Sequence, residues 1–160
     1  MEAKPTASPN TKRFLVWLLL PIVCAWARRH EAEILRRGSR LSARGLEEAL
    51  RAGVQAPHRV RTLTVECIPP RLPFWLRRIT ASWSWGPATT AGMSLGYGIF
   101  LRTDQVGRRD LLLHELVHTA QYERLGFRPF LRAYLLECLS AGYPRGTLET
   151  EAREVASETR

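Results

Sequence analysis

At 160 residues the chain fits a single domain, large enough to bury a core without disulfide staples. Its three cysteines, Cys24, Cys67 and Cys138, contain no CxxC pair, which argues against a disulfide framework or a cysteine zinc site and leaves them expected as buried small hydrophobes. The formal charge of +9 comes from arginines spread along the chain, with lysine only at Lys4 and Lys12; no RNA- or DNA-binding motif accompanies them, so no nucleic-acid partner is expected.

Residues 1–13 read as a disordered tail, because Met1 to Thr11 is polar and proline-containing and has too little apolar surface to pack. A single domain over residues 14–160 is expected to follow. Its first segment, Phe14 to Ala27, is a continuous apolar run flanked by Lys12 and Arg13 on one side and Arg28 and Arg29 on the other. Broken by Pro21, it falls short of the roughly 20 apolar residues that span a bilayer. Three readings stay open: a signal peptide cut after Ala25-Trp26-Ala27, an interfacial membrane anchor, or the start of a long first helix that continues through Ile34 to a stop at Gly38. The location follows the same choice, cytoplasmic or membrane-associated in the last two cases and secreted in the first.

Leu41 to Ala52 reads as a short second helix closed by Gly53. Val60 to Ile68 alternates in a β-branched period-2 pattern, which predicts a strand ended by Pro69-Pro70. Alternating Trp83 and Trp85 predict a second strand, and Gly86 to Gly92 a turn-rich connection. Leu95 to Arg102 reads as a third strand, weakened by Gly96 and Gly98, where close approach of another segment is expected.

The next helix runs through RRDLLLHELVHTAQYERL, with Asp104 or Asp110 as its cap and Gly126 as its stop. One turn apart, His114 and His118 lie on one face together with Leu111, Gln121 and Leu125. Two imidazoles so placed can bind one metal ion from a rigid element, while Glu115 beside them reaches a water on that ion. Zinc suits nitrogen donors at about 2.0–2.1 Å and lowers the pKa of bound water to roughly 7. Glu115 then has the place of a general base. The bland alternative is a pair of core histidines satisfied by hydrogen bonds.

In its HELVH run followed by Gln121-Tyr122, the sequence resembles the zincin metallopeptidases, and more narrowly small gluzincin-like proteins. The metzincin variant is excluded by Gln121 and Arg124, which stand where that pattern wants glycine and histidine. The resemblance implies a third zinc ligand from a downstream glutamate. Glu149, in the run Glu149 to Ala152 that matches the start of the ligand-helix signature, is the expected ligand, and Glu137 is the alternative. Arg153 departs from the family's aspartate, so orientation of the first histidine is expected from Glu151 or a backbone carbonyl. An edge strand that pairs with extended substrate is expected at Leu95 to Leu101. Tyr97, Tyr143 and the arginines are open candidates for oxyanion stabilisation.

The expectation is therefore an α+β, zincin-like domain with a small, mostly antiparallel sheet, the HExxH helix and further C-terminal helices. It is expected to be a monomeric Zn2+-dependent metallopeptidase acting on a peptide or protein, with His114, His118 and Glu149 as ligands and Glu115 as catalytic base. The rival is a non-catalytic metal-binding protein, or a basic one that associates with a membrane surface through residues 14–27.

Overall fold

The computed structural model describes residues 9–68, 90–140 and 145–158. Five α-helices and four strands make up the described α+β architecture: α1 (Pro9–Arg37), β1 (Ser39–Arg40), α2 (Ala43–Arg51), β2 (Arg61–Val65), β3 (Gly92–Leu95), β4 (Gly98–Arg102), α3 (Arg109–Leu125), α4 (Phe127–Ser140) and α5 (Thr147–Ser157). Residues 9–13 of the expected tail belong to α1; residues 1–8, Pro69-Pro70, the predicted strand at Trp83 and Trp85, and Gly86 to 89 lie outside the described residues.

The apolar run is the first half of α1, which continues unbroken through Pro21. Pro21 removes one N–H and so frees the carbonyl of Trp17, but it lies on the exposed side of the helix, where water can satisfy that group. The other side carries Val16, Leu20, Ala27 and Ile34, all buried.

The sheet order is β1-β2-β4-β3, and it is mixed rather than mostly antiparallel: β1–β2 and β4–β3 are antiparallel, while β2 and β4 form a parallel pair from Arg61↔Gly98 to Val65↔Arg102. That register also explains why β2 stops at Val65 instead of reaching Ile68. Beyond Arg102 the partner strand turns into a short 3-10 segment, Thr103–Gln105, and offers nothing to pair with.

The segment expected as one strand, Leu95 to Arg102, is a tight hairpin. Leu95 pairs with Gly98, which leaves Gly96 and Tyr97 as a two-residue loop with φ +64° at Gly96. The approach predicted at these glycines is that of α1: a Cβ at Gly96 would overlap the Glu31 carboxylate, and one at Gly98 would come within 2.9 Å of Ile34. Glu31 Oε1 accepts the Tyr97 N–H at 3.0 Å, so a buried carboxylate of α1 caps the hairpin.

Alternation along β4 divides the core in two. Phe100 faces α1 in a cluster with Ala27, Ile34, Leu95 and Phe130, while Ile99 faces α2 and α3 with Ala49, Val60 and Leu116. Helix α3 gives Leu116 to this second cluster and Tyr122 to the first, and it is pinned at both ends. Glu48 of α2 accepts from Arg109 at 2.5 Å, and Glu123 accepts from Gln55 N, Ala56 N and the Tyr97 hydroxyl at 2.7, 3.1 and 2.9 Å. A helix tied at each end holds its side chains to one geometry, as a metal site requires.

Candidate metal centre

The α3 boundaries differ from expectation in detail. Its N-cap is Arg108, with no capping side chain; Asp110 lies inside the first turn in a pair with Arg108, and Asp104 pairs with Arg102. Gly126 ends the helix with a positive φ of 87°, but its ψ of 153° is extended. Leu125 is 40 % exposed, so the inward stripe ends at Gln121 and Tyr122, not at Leu125.

His114 and His118 project from successive turns of α3, with their Nε2 atoms 3.2 Å apart. Glu149, in the first turn of α5, places Oε2 3.4 Å from His114 Nε2 and Oε1 3.4 Å from His118 Nε2. Donor atoms held ~2.0–2.1 Å from a tetrahedral zinc stand roughly 3.3 Å from one another. The two imidazole nitrogens match that figure, and each stands near it from one Glu149 oxygen, a different oxygen for each ring; with one atom from each residue, the three donors lie within 4.8 Å of one another.

Hydrogen bonding fixes which lone pairs face inward. The Gln121 amide nitrogen donates to Leu148 O and to Glu151 Oε2, both at 3.0 Å, so its oxygen must be the atom 2.8 Å from His118 Nδ1. That nitrogen of His118 is therefore the N–H, and in the neutral ring Nε2 points an unprotonated lone pair at His114 and Glu149. Glu149 Oε2 is buried and has no hydrogen-bond partner. The His118 lone pair, the His114 ring nitrogen beside it and the orphaned carboxylate oxygen make a donor set that can hold a cation, and its chemistry suits zinc.

The titration of the site follows the same logic. Burial works against the charged form of His118, yet its bond to Glu149 and the nearby Glu115 carboxylate outweigh it and raise the imidazole above its ordinary value. Burial alone would push the Glu149 carboxyl up, but the imidazoles of His114 and His118 beside it and the Tyr134 hydroxyl hold it far below the usual carboxylate range.

Glu115 is 4 % exposed and is held against β3, which with β1 forms the two edges of the described sheet. The Ser94 hydroxyl reaches both Glu115 Oε2 and the Glu115 carbonyl at 2.7 Å. Opposite it, a Cβ on Gly92 would stand 2.6 Å from Glu115 Oε1, so only glycine leaves room for the carboxylate. These four side chains, His114, Glu115, His118 and Glu149, border one cavity of about 120 Å³ whose remaining wall is largely apolar, including Val23, Trp26, Leu131 and Leu135.

Several expectations move. Glu137, the alternative ligand, is a helix cap: its Oε1 accepts from the Thr147 hydroxyl and its Oε2 from the Leu148 N–H at 3.1 Å, at the start of α5. Thr147, expected as that cap, is the first helical residue after Gly146. Glu151 orients the second histidine through Gln121, not the first. Arg153 donates to Glu149 O and to the Thr150 hydroxyl. Leu95 to Leu101 does not supply the edge strand, since β4 is interior, between β2 and β3.

Tyr97 donates to Glu123, away from the cavity, and Tyr143 lies outside the described residues. The tyrosine that does reach the site is Tyr134 of α4, whose hydroxyl donates to Glu149 Oε1 at 2.5 Å. Its signal in the sequence was only a place on the inward face of α4 beside Phe130 and Leu131. Ser94 and Gly92 carried none, because their role depends on β3 lying across α3. No family model, curated protein or solved structure matches this chain, and the reading of the site rests on its own residues.

Proposed function

We propose that this protein is a zinc-dependent hydrolase of zincin-like arrangement, with peptide bonds as its substrate class. His114, His118 and Glu149 hold the ion, and Glu115 is the general base. The observation that carries the reading is the convergence of two imidazoles and one carboxylate, buried or half-buried, whose donor atoms lie within 4.8 Å of one another, with the His118 tautomer already set for coordination. Zinc in such a site polarises a carbonyl and makes its bound water acidic. Glu115 supplies the rest: it accepts the proton of the attacking water and passes it to the leaving amine.

A carboxylate between two ligands has no use in a protein that only stores or senses metal, which favours hydrolysis. Peptide is favoured over other amides and esters by β3. Gly92 to Leu95 border the cavity, and among the described residues β3 pairs with β4 alone, a position from which an extended backbone would be taken up as an added strand.

The test is metal analysis of wild type beside Glu115→Ala, Glu149→Ala and Glu137→Ala, with hydrolysis of a peptide library measured on each. Near-stoichiometric zinc is expected in wild type, Glu115→Ala and Glu137→Ala, with loss in Glu149→Ala and no turnover in Glu115→Ala. Folded wild type without bound metal would sink the reading. Zinc without turnover in the wild type would reduce it to metal binding.

A further inference from the structure

Helix α1 presents two unlike faces. Four of the eight large apolar side chains exposed among the described residues lie within its first half: Phe14 at 63 %, Trp17 at 67 %, Leu18 at 52 % and Ile22 at 46 %. The others, Leu35, Leu50, Val106 and Leu125, are scattered singly, as on any protein surface. At 100° per residue, positions 14, 17, 18, 21, 22 and 25 fall on one side of the helix, opposite the core residues Val16, Leu20 and Ala27. Pro21 and Ala25 are exposed too, so this side carries no charge for about 17 Å of helix.

Cations bracket the apolar stretch. Lys12 and exposed Arg13 precede it and exposed Arg29 follows, with no acidic residue between Pro9 and His30; Arg28, also exposed, pairs with Glu31 at 3.0 Å and lies over the Phe127 ring. Among the described residues no helix is long and apolar enough to cross a membrane, and the opposite side of α1 is occupied by the protein core.

We infer that this side of α1 docks the protein onto an anionic phospholipid bilayer, lying in the headgroup plane with Phe14, Trp17, Leu18 and Ile22 at the acyl boundary and the basic residues on lipid phosphates. An aromatic-containing apolar face with basic ends is the composition that partitions into that region. A second copy of the chain is the poorer fit. An antiparallel pairing of two α1 faces brings the Arg13 end of one copy to Arg29 of the other, and a parallel pairing stacks like ends, so either order sets these two cations against each other, while the nearby Glu31 is already paired with Arg28. Lipid phosphate supplies the missing charge. The same helix lends Val23 and Trp26 to the cavity beside Glu115, so docking sets that cavity roughly one helix diameter, ~10 Å, from the headgroups. The inference does not depend on zinc or on hydrolysis.

Vesicle sedimentation of the full chain tests it, with phosphatidylcholine vesicles against vesicles containing about 30 % phosphatidylserine. Binding to the anionic vesicles is expected to be at least about tenfold tighter and to weaken as salt is raised to ~0.5 M. Trp17→Ser combined with Leu18→Ser, both at exposed positions, should lower binding about tenfold or more with an unchanged circular dichroism spectrum and zinc content. Arg13→Glu with Arg29→Glu should abolish the preference for anionic lipid. Wild type that ignores both vesicle types overturns the inference, as does unchanged binding in the Trp17→Ser/Leu18→Ser variant. So does a dimer in light scattering that this variant dissolves, if no vesicle binding accompanies it.

Discussion

The side-chain oxygen of Gln121 accepts the Nδ1–H of His118 at 2.8 Å, and the Gln121 amide is held in that orientation by Leu148 O and Glu151. Gln121 is fully buried, so its three bonds have no solvent substitute. A ligand histidine is thus set by a residue one turn further along its own helix and checked from α5, the helix that brings Glu149.

Gln121→Leu keeps the volume but releases the His118 ring and strips Leu148 O of its donor. Zinc affinity is expected to fall about 10–100-fold, as for other lost partners of metal-bound histidine. Stability of the metal-free chain should drop by roughly 1–3 kcal/mol, the range for a buried polar group left unpaired. Chelator competition and denaturant unfolding measure the two; an unchanged zinc affinity contradicts the assigned tautomer.

Gly92→Ala probes the seat of Glu115. The added methyl meets Glu115 Oε1 at 2.6 Å and Cγ at 2.9 Å, while Ser94 holds the carboxylate from the other side. Overpacking of this kind costs about 1–3 kcal/mol. Zinc content should stay near wild type while peptide hydrolysis falls about 100-fold or more, because the base is displaced and not the ligands. Equal loss of zinc and activity would place Gly92 at the metal instead.

Glu137→Ala removes the cap of α5, and the expected cost is about 0.5–2 kcal/mol of stability. The zinc site should remain, with affinity lowered only as far as fraying of the first turn of α5 loosens Glu149. Thermal unfolding with and without zinc separates this from ligand loss: zinc should still raise the midpoint in Glu137→Ala and no longer do so in Glu149→Ala.

Proton competition sets the pH dependence of zinc loading. His118 in the metal-free protein holds its proton above the ordinary imidazole value of 6.5, and zinc must displace it. Affinity should therefore be level at alkaline pH and begin to decline as pH falls through the raised value, already above 6.5. Glu149 adds nothing to this slope, since its depressed carboxyl is ionised throughout. Titrations between about pH 5 and 9 check the sign; a decline that starts only below the ordinary value contradicts the His118–Glu149 coupling.

The part of the site that was legible in sequence is the part carried by one helix. His114, Glu115, His118 and Gln121 sit on α3, where a period of 3.6 residues fixes their relative positions before any tertiary contact forms. Glu149 required more. Two glutamates competed as partner, and what separates them is the side on which each leaves its helix: Glu137 turns to the backbone of α5, Glu149 to the imidazoles.

The sheet was less readable for a similar reason. Leu95 to Arg102 has the composition of one strand, yet the positive φ at Gly96 and the Glu31 carboxylate from α1 fold it into a hairpin. The parallel β2–β4 pair, which makes β3 an edge, joins residues far apart in the chain, and no local period encodes such a pairing.

By itself the sequence determined the helical spacing of the HELVH run, the apolar and basic blocks of α1 and the glycine stops, all of which follow from interactions within a few residues. Tertiary structure decided which carboxylate meets the two imidazoles, that Gln121 locks His118, that Ser94 and Gly92 seat Glu115, and which face of α1 is left outside the core. Those choices depend on how separate elements pack. Packing is a property of the whole buried interior, and no short window of residues contains it.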